Sequence, residues 1–128
     1  MIVAVSADKD NCDSATSSHF DESRWFALFN TVNEDWVVVE NPYADSLGGA
    51  GIQSAQMLIE RNIDVVITDR MGRNAFRVLF SANIGVYRCT MKRVKEAVDL
   101  FLSDKLERVI LPAGGARRRQ RRRLGRSS

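Results

Sequence analysis

The chain is poor in residues that build covalent or metal frameworks: its 128 positions hold two cysteines, one histidine and two prolines. Cys12 and Cys89 are too few and too far apart for a disulfide scaffold, and neither stands in a CxxC pair. A reducing compartment follows. One cysteine and one histidine cannot close a tetrahedral zinc site. A lone histidine also leaves Ser/His or Cys/His catalysis resting on His19, with no nucleophile signature around it. No apolar run approaches the roughly 20 residues that cross a bilayer. The N-terminus, Met1-Ile2-Val3-Ala4-Val5, has no basic region and soon meets Asp8, Lys9 and Asp10, unlike a signal peptide. These absences point to a cytoplasmic protein with no membrane contact, and a monomer is the expected state.

Acidic residues are missing from one stretch altogether. Positions 113–128 carry seven arginines (Arg117, Arg118, Arg119, Arg121, Arg122, Arg123 and Arg126) and no Asp or Glu. The chain therefore divides into a folded domain, 1–112, and an Arg-rich tail, 113–128, expected to be disordered for want of apolar residues. Without those arginines twelve basic side chains face sixteen acidic ones, so the body is mildly acidic. The pI of about 9.2 describes the tail. From Arg117 to Arg126 it offers weak, salt-sensitive contact with nucleic acid or another anionic partner, or serves only as a solubilising extension.

What is present is an α/β pattern. Ile2 to Ser6 reads as a buried strand, and Trp25 to Phe29 and Asp35 to Glu40 as a hairpin pair ended by Asn41-Pro42. Gly51 to Arg61 and Asn74 to Asn83 carry apolar residues at helical spacing, and Thr90 is a fitting N-cap for a third helix through Val94, Ala97, Val98 and Phe101. Ile63 to Ile67 and Gly85 to Cys89 are strands between them, and Glu107 to Leu111 adds a short extended segment. The order βββ then αβαβα gives a ribonuclease H-like, mixed five-stranded sheet, 3-2-1-4-5, with strand 2 antiparallel and helices on both faces.

In that arrangement the ends of four parallel strands and the starts of all three helices share one rim, the usual place for a ligand in such sheets. Gly48-Gly49-Ala50-Gly51 lies there before a helix, either a turn needing glycine for its geometry or a seat where backbone N–H groups meet an anion. It is neither a Walker A loop nor a dinucleotide fingerprint. The turn through Gly72 and Asn74 shares the rim, as does the loop holding Cys12 and His19, candidate thiolate and imidazole ligands for iron. Asp8 and Asp69 end neighbouring strands, and a magnesium-dependent nuclease would use them. No third acid is well placed beside them, and loop-ending or helix-capping roles serve as well.

Several short motifs occur in a familiar order: Ile2-Val3-Ala4-Val5-Ser6, Ser18-His19-Phe20, Asn41-Pro42, Gly49-Ala50-Gly51-Ile52, Gly72-Arg73-Asn74-Ala75-Phe76 and Gly85-Val86-Tyr87-Arg88. Over residues 1 to 111 the chain resembles the dinitrogenase iron–molybdenum cofactor biosynthesis family (NifX/NafY-type), particularly its small, free-standing archaeal members. The resemblance implies a ribonuclease H-like fold and a non-catalytic accessory role. It implies binding of an iron–molybdenum cofactor or an iron–sulfur cluster precursor, with cofactor donor or acceptor proteins as partners. It points to His19 as the metal ligand, and the reading of the rim adds Cys12, Gly48, Gly49, Gly51, Gly72 and Asn74 as candidates around the cofactor. It also marks a departure: the position after the His-Phe motif is usually glycine, and here it is Asp21. The alternatives are a small-anion-binding or regulatory interaction module with a basic tail and, beyond it, the nuclease.

Overall fold

The computed structural model describes residues 1–46 and 48–110, so the expected tail, 113–128, and the domain boundary before it lie outside the described residues. Six strands and three helices follow one another as β1 (Ile2–Ala7), β2 (Trp25–Asn30), β3 (Trp36–Glu40), α1 (Ala50–Glu60), β4 (Val65–Thr68), α2 (Arg73–Ser81), β5 (Gly85–Arg88), α3 (Val94–Leu102) and β6 (Glu107–Arg108). They form a single mixed sheet in the order β3-β2-β1-β4-β5-β6. β2 runs antiparallel to both β1 and β3, while β4 lies parallel to β1 and to β5.

The expected sheet of five strands is thus corrected to six. β6 joins at the edge, antiparallel to β5, through Tyr87↔Arg108 and Arg88↔Glu107. Its two residues are polar and exposed, too short for any alternation of apolar side chains to mark them as paired. The start of α3 is corrected too. Met91 turns back at φ 53°, Arg93 pairs with Ala15, and Arg93 rather than Thr90 is the N-cap. The Glu96 carboxylate accepts the Arg93 backbone N–H at 3.1 Å.

β1 is apolar almost throughout because both its faces are covered. Ala4 joins Val66, Leu58, Ala75, Phe76 and Leu79 in a core beneath α1 and α2. Val3, Val5 and Ala7 join Ile67, Val94, Ala97 and Val98 beneath α3. Helices therefore pack on both faces of the sheet.

The segment between β1 and β2 is no free loop. Ala7 bridges Thr16, and His19 bridges Arg70. The Phe20 side chain is fully buried against Phe26, ring centroids 5.2 Å apart. Asn41 fastens the far side. Its side-chain N–H donates to the Ser23 carbonyl at 2.8 Å and to Ser54 Oγ at 2.9 Å, and Oδ1 accepts the Tyr43 N–H at 3.1 Å. Asn41→Ala leaves buried partners unsatisfied and should cost about 2–3 kcal/mol, read as a lower urea midpoint with unchanged slope.

Candidate functional site

Two helices begin at the carboxyl edge of the sheet without help from side chains. The N-cap of α1 is Gly49 at φ 76°, preceded by Gly48 at φ 72°. A Cβ at either would meet nothing within 4 Å, so backbone handedness, not space, requires glycine at both. The N-cap of α2 is Gly72, with extended backbone. Neither helix has a side-chain cap or an acid in its first turn, so the first N–H groups of α1, and those of α2 beyond Gly72, stay available and carry the positive end of the helix dipole.

An open cleft of about 560 Å³ lies over these starts. Gly48, Gly49, Gly51, Gly72 and Asn74 all line it, so the structure brings together the five rim positions expected from the sequence. Arg73 and Arg77, one turn apart on α2, line it too. Both are exposed, and among the described residues neither forms an ion pair. The wall is suited to anions.

The opposing charge comes from Asp21 and Glu22. Asp21 lies against bare α-carbons: a Cβ at Gly51 would stand 2.6 Å from its Oδ1, and one at Gly72 would stand 2.9 Å from Oδ2. Burial pushes the Asp21 carboxyl above its ordinary value. The Gly72 backbone N–H opposes this, the Glu22 charge adds to it, and His19 opposes it. A raised carboxyl is least costly when protonated, so its contribution to stability is present below the ordinary carboxylate range and lost as pH rises through the raised value. Asp21→Asn should therefore melt a few degrees above wild type at pH 7, and the difference should vanish near pH 3. The sequence marks Asp21 as a departure after the His-Phe motif, but not its contact with Gly51 and Gly72, which come from two other elements.

His19 does not line the cleft. Its backbone pairs with Arg70, its ring is exposed with Nδ1 3.1 Å from Ser18 Oγ, and its charge reaches Asp21. That places it at the edge, beside the Asp21 wall.

A family model described as dinitrogenase iron-molybdenum cofactor matches residues 1–104. The chain belongs to that family. The family's fold recurs in the apo form of the orange protein from Desulfovibrio gigas, 27% identical, covering 87% of this chain and 94% of that one with a TM-score of 0.82. It recurs in a Thermotoga protein provisionally assigned as NifB, 31% identical, covering 88% and 98% with a TM-score of 0.77. An uncharacterized protein of Methanocaldococcus jannaschii is 26% identical over 95 residues, 72% of this chain and 80% of its own length.

The remaining candidates sit elsewhere on this member of the family. Cys12 is half-buried, and its neighbours Asn11 and Asp13 line a second cleft beside Lys92, Arg93 and Glu96, away from the glycines. The structure does not bring Cys12 to His19. Cys89 is buried, and burial pushes its thiol up, which suits a packing residue more than a ligand. Asp69 accepts from Arg88 Nε at 3.2 Å and from Thr90 Oγ1 at 3.1 Å, tying the ends of β4 and β5 together. Among the described residues no three His, Cys, Asp or Glu side chains gather as a metal cage. No helix among them is long and apolar enough to cross a membrane.

Proposed function

We propose that this chain is a non-catalytic accessory protein that binds an iron–molybdenum cofactor, or an iron–sulfur precursor of it, and hands it on. The observation that carries the reading is the convergence of two uncapped helix starts with Arg73 and Arg77 on one open cleft, in a chain of this family. A metal–sulfur cluster of negative charge brings its own sulfides. It needs only one or two protein ligands, with N–H donors around it tuning affinity and potential. His19, at the cleft edge, supplies the metal bond, while the amides at Gly49, Gly51, Gly72 and Asn74 face the sulfides. Few ligands and an open mouth also suit a cargo that must leave again. The scaffold is read as ribonuclease H-like, and the protein works as a monomer between cofactor donor and acceptor proteins in the cytoplasm.

The test is anaerobic incubation with a preformed iron–sulfur cluster, followed by iron analysis and the charge-transfer spectrum of the desalted protein. Wild type should retain iron and colour, and His19→Ala should weaken retention about tenfold or more. Colourless, iron-free wild type rejects the carrier reading.

A second reading is favoured by the position of His19 outside the cleft lining: a module for small phosphoryl-type anions held by the glycine rim alone. Phosphate-bearing compounds would then raise the melting temperature of wild type and His19→Ala equally, and Gly49→Val would lose the effect.

A further inference from the structure

The wall of the cleft that faces the helix starts carries a charge of the wrong sign for an anionic guest. Asp21 sets its carboxylate between Gly51, in the first turn of α1, and Gly72, at the N-cap of α2, where a Cβ on either would collide with it. Neither glycine has positive φ, so at these two positions the missing side chain makes room for the carboxylate. Oδ1 is buried and has no hydrogen-bond partner among the described residues. An unpartnered acceptor is costly to bury, and here only the Gly72 backbone N–H and the nearby His19 work against that cost.

We propose that Asp21 is the selectivity residue of this cleft, a built-in anion that occupies the ground between Gly51 and Gly72 and competes with any anionic guest for the donors there. The proposal rests on the reading of the cleft as an anion seat and adds what that seat refuses. A free oxyanion brings nothing but charge and a few acceptor oxygens, and meets a carboxylate already in place. A metal-bearing guest brings one thing more, a bond to the His19 imidazole at the edge, which no oxyanion can form. The carboxylate thus raises the threshold for every anion, and the metal bond lifts only the intended class above it.

Glu22 and His19 on its own segment act on the Asp21 charge, α2 brings the Gly72 N–H, Arg73 and Arg77 line the same cleft, and the first turn of α1 brings no acid. The comparison is made at pH 7.5 alone. Sulfate, a dianion throughout the neutral range, is titrated into full-length wild type, Asp21→Asn and Asp21→Gly, following the backbone amides of Gly49, Gly51, Gly72 and Asn74 by NMR. Removing a like charge from the seat should tighten sulfate binding about tenfold in Asp21→Asn. Asp21→Gly should match or exceed it, and the asparagine variant, nearly isosteric, carries the test if the glycine variant does not fold. Sulfate bound equally or more weakly by Asp21→Asn overturns the proposal, as does sulfate bound at these amides by none of the three. The carrier reading is scored separately by iron uptake in wild type. Tenfold tighter sulfate without cluster uptake leaves the selectivity role standing and removes the carrier, and uptake without the sulfate gain does the reverse.

Discussion

Phe20→Ala should lower the free energy of unfolding by about 3–5 kcal/mol, the range for truncating a fully buried phenylalanine. Phe20 is 0% exposed, in the same core cluster as Phe26, Ala55, Leu58, Ala75 and Phe76. Its backbone N–H donates to the Arg70 carbonyl at 2.8 Å, and the Arg70 N–H donates to Ser18 at 3.0 Å. The ring is therefore the anchor for its two neighbours in the chain, Asp21 in the cleft wall and His19 outside the cleft lining. Its loss should reduce both stability and cargo binding. Phe20→Leu, which keeps most of the apolar volume, should cost under about 1.5 kcal/mol. Phe80→Ala, at a ring 63% exposed on α2, should change stability by no more than about 0.5 kcal/mol. Urea unfolding of the three variants separates these cases, and a Phe20→Ala midpoint equal to that of wild type would show that the ring is not an anchor.

The second large effect is on binding alone. Arg73→Ala combined with Arg77→Ala should weaken capture of an anionic cluster by about 10- to 100-fold. Both side chains are exposed on the solvent face of α2, so stability should stay within about 0.5 kcal/mol of wild type. The attraction is partly screened, so wild-type affinity should fall between low and physiological salt, and the double variant should show a shallower dependence. An equilibrium titration at two ionic strengths reads both quantities. Unchanged affinity in the double variant would assign the guest to another surface.

Much of the fold was legible because periodicity carries it. The doubly covered β1, the hairpin of β2 and β3, and the stripes of α1 and α2 all announce themselves in the spacing of apolar residues. Errors fell where periodicity is silent. β6 has two residues and no apolar face. Thr90 has the chemistry of a cap, but its hydroxyl is spent on Asp69, and the chain makes another turn at Met91 before α3 begins. The glycines of the site were legible, since Gly48 and Gly49 stand just before one helical pattern and Gly72 just before another. Asp21 was not legible as a wall of the seat. Its meaning depends on Gly51 and Gly72, thirty and fifty-one positions along the chain, arriving beside it together. Cys12 shares a loop with His19 in sequence, yet the bridges Ala15↔Arg93 and His19↔Arg70 pin the loop's two halves to different helix starts.

The most direct measurement is where a bound cluster sits. A paramagnetic iron–sulfur cluster loaded anaerobically onto isotope-labelled protein broadens the amide signals nearest to it. The account predicts loss of the signals of Gly49, Gly51, Gly72 and Asn74, with those of Ser14, Lys92 and Arg93 beside α3 left sharp. Broadening centred on Cys12 and α3, with the glycine amides untouched, would contradict it.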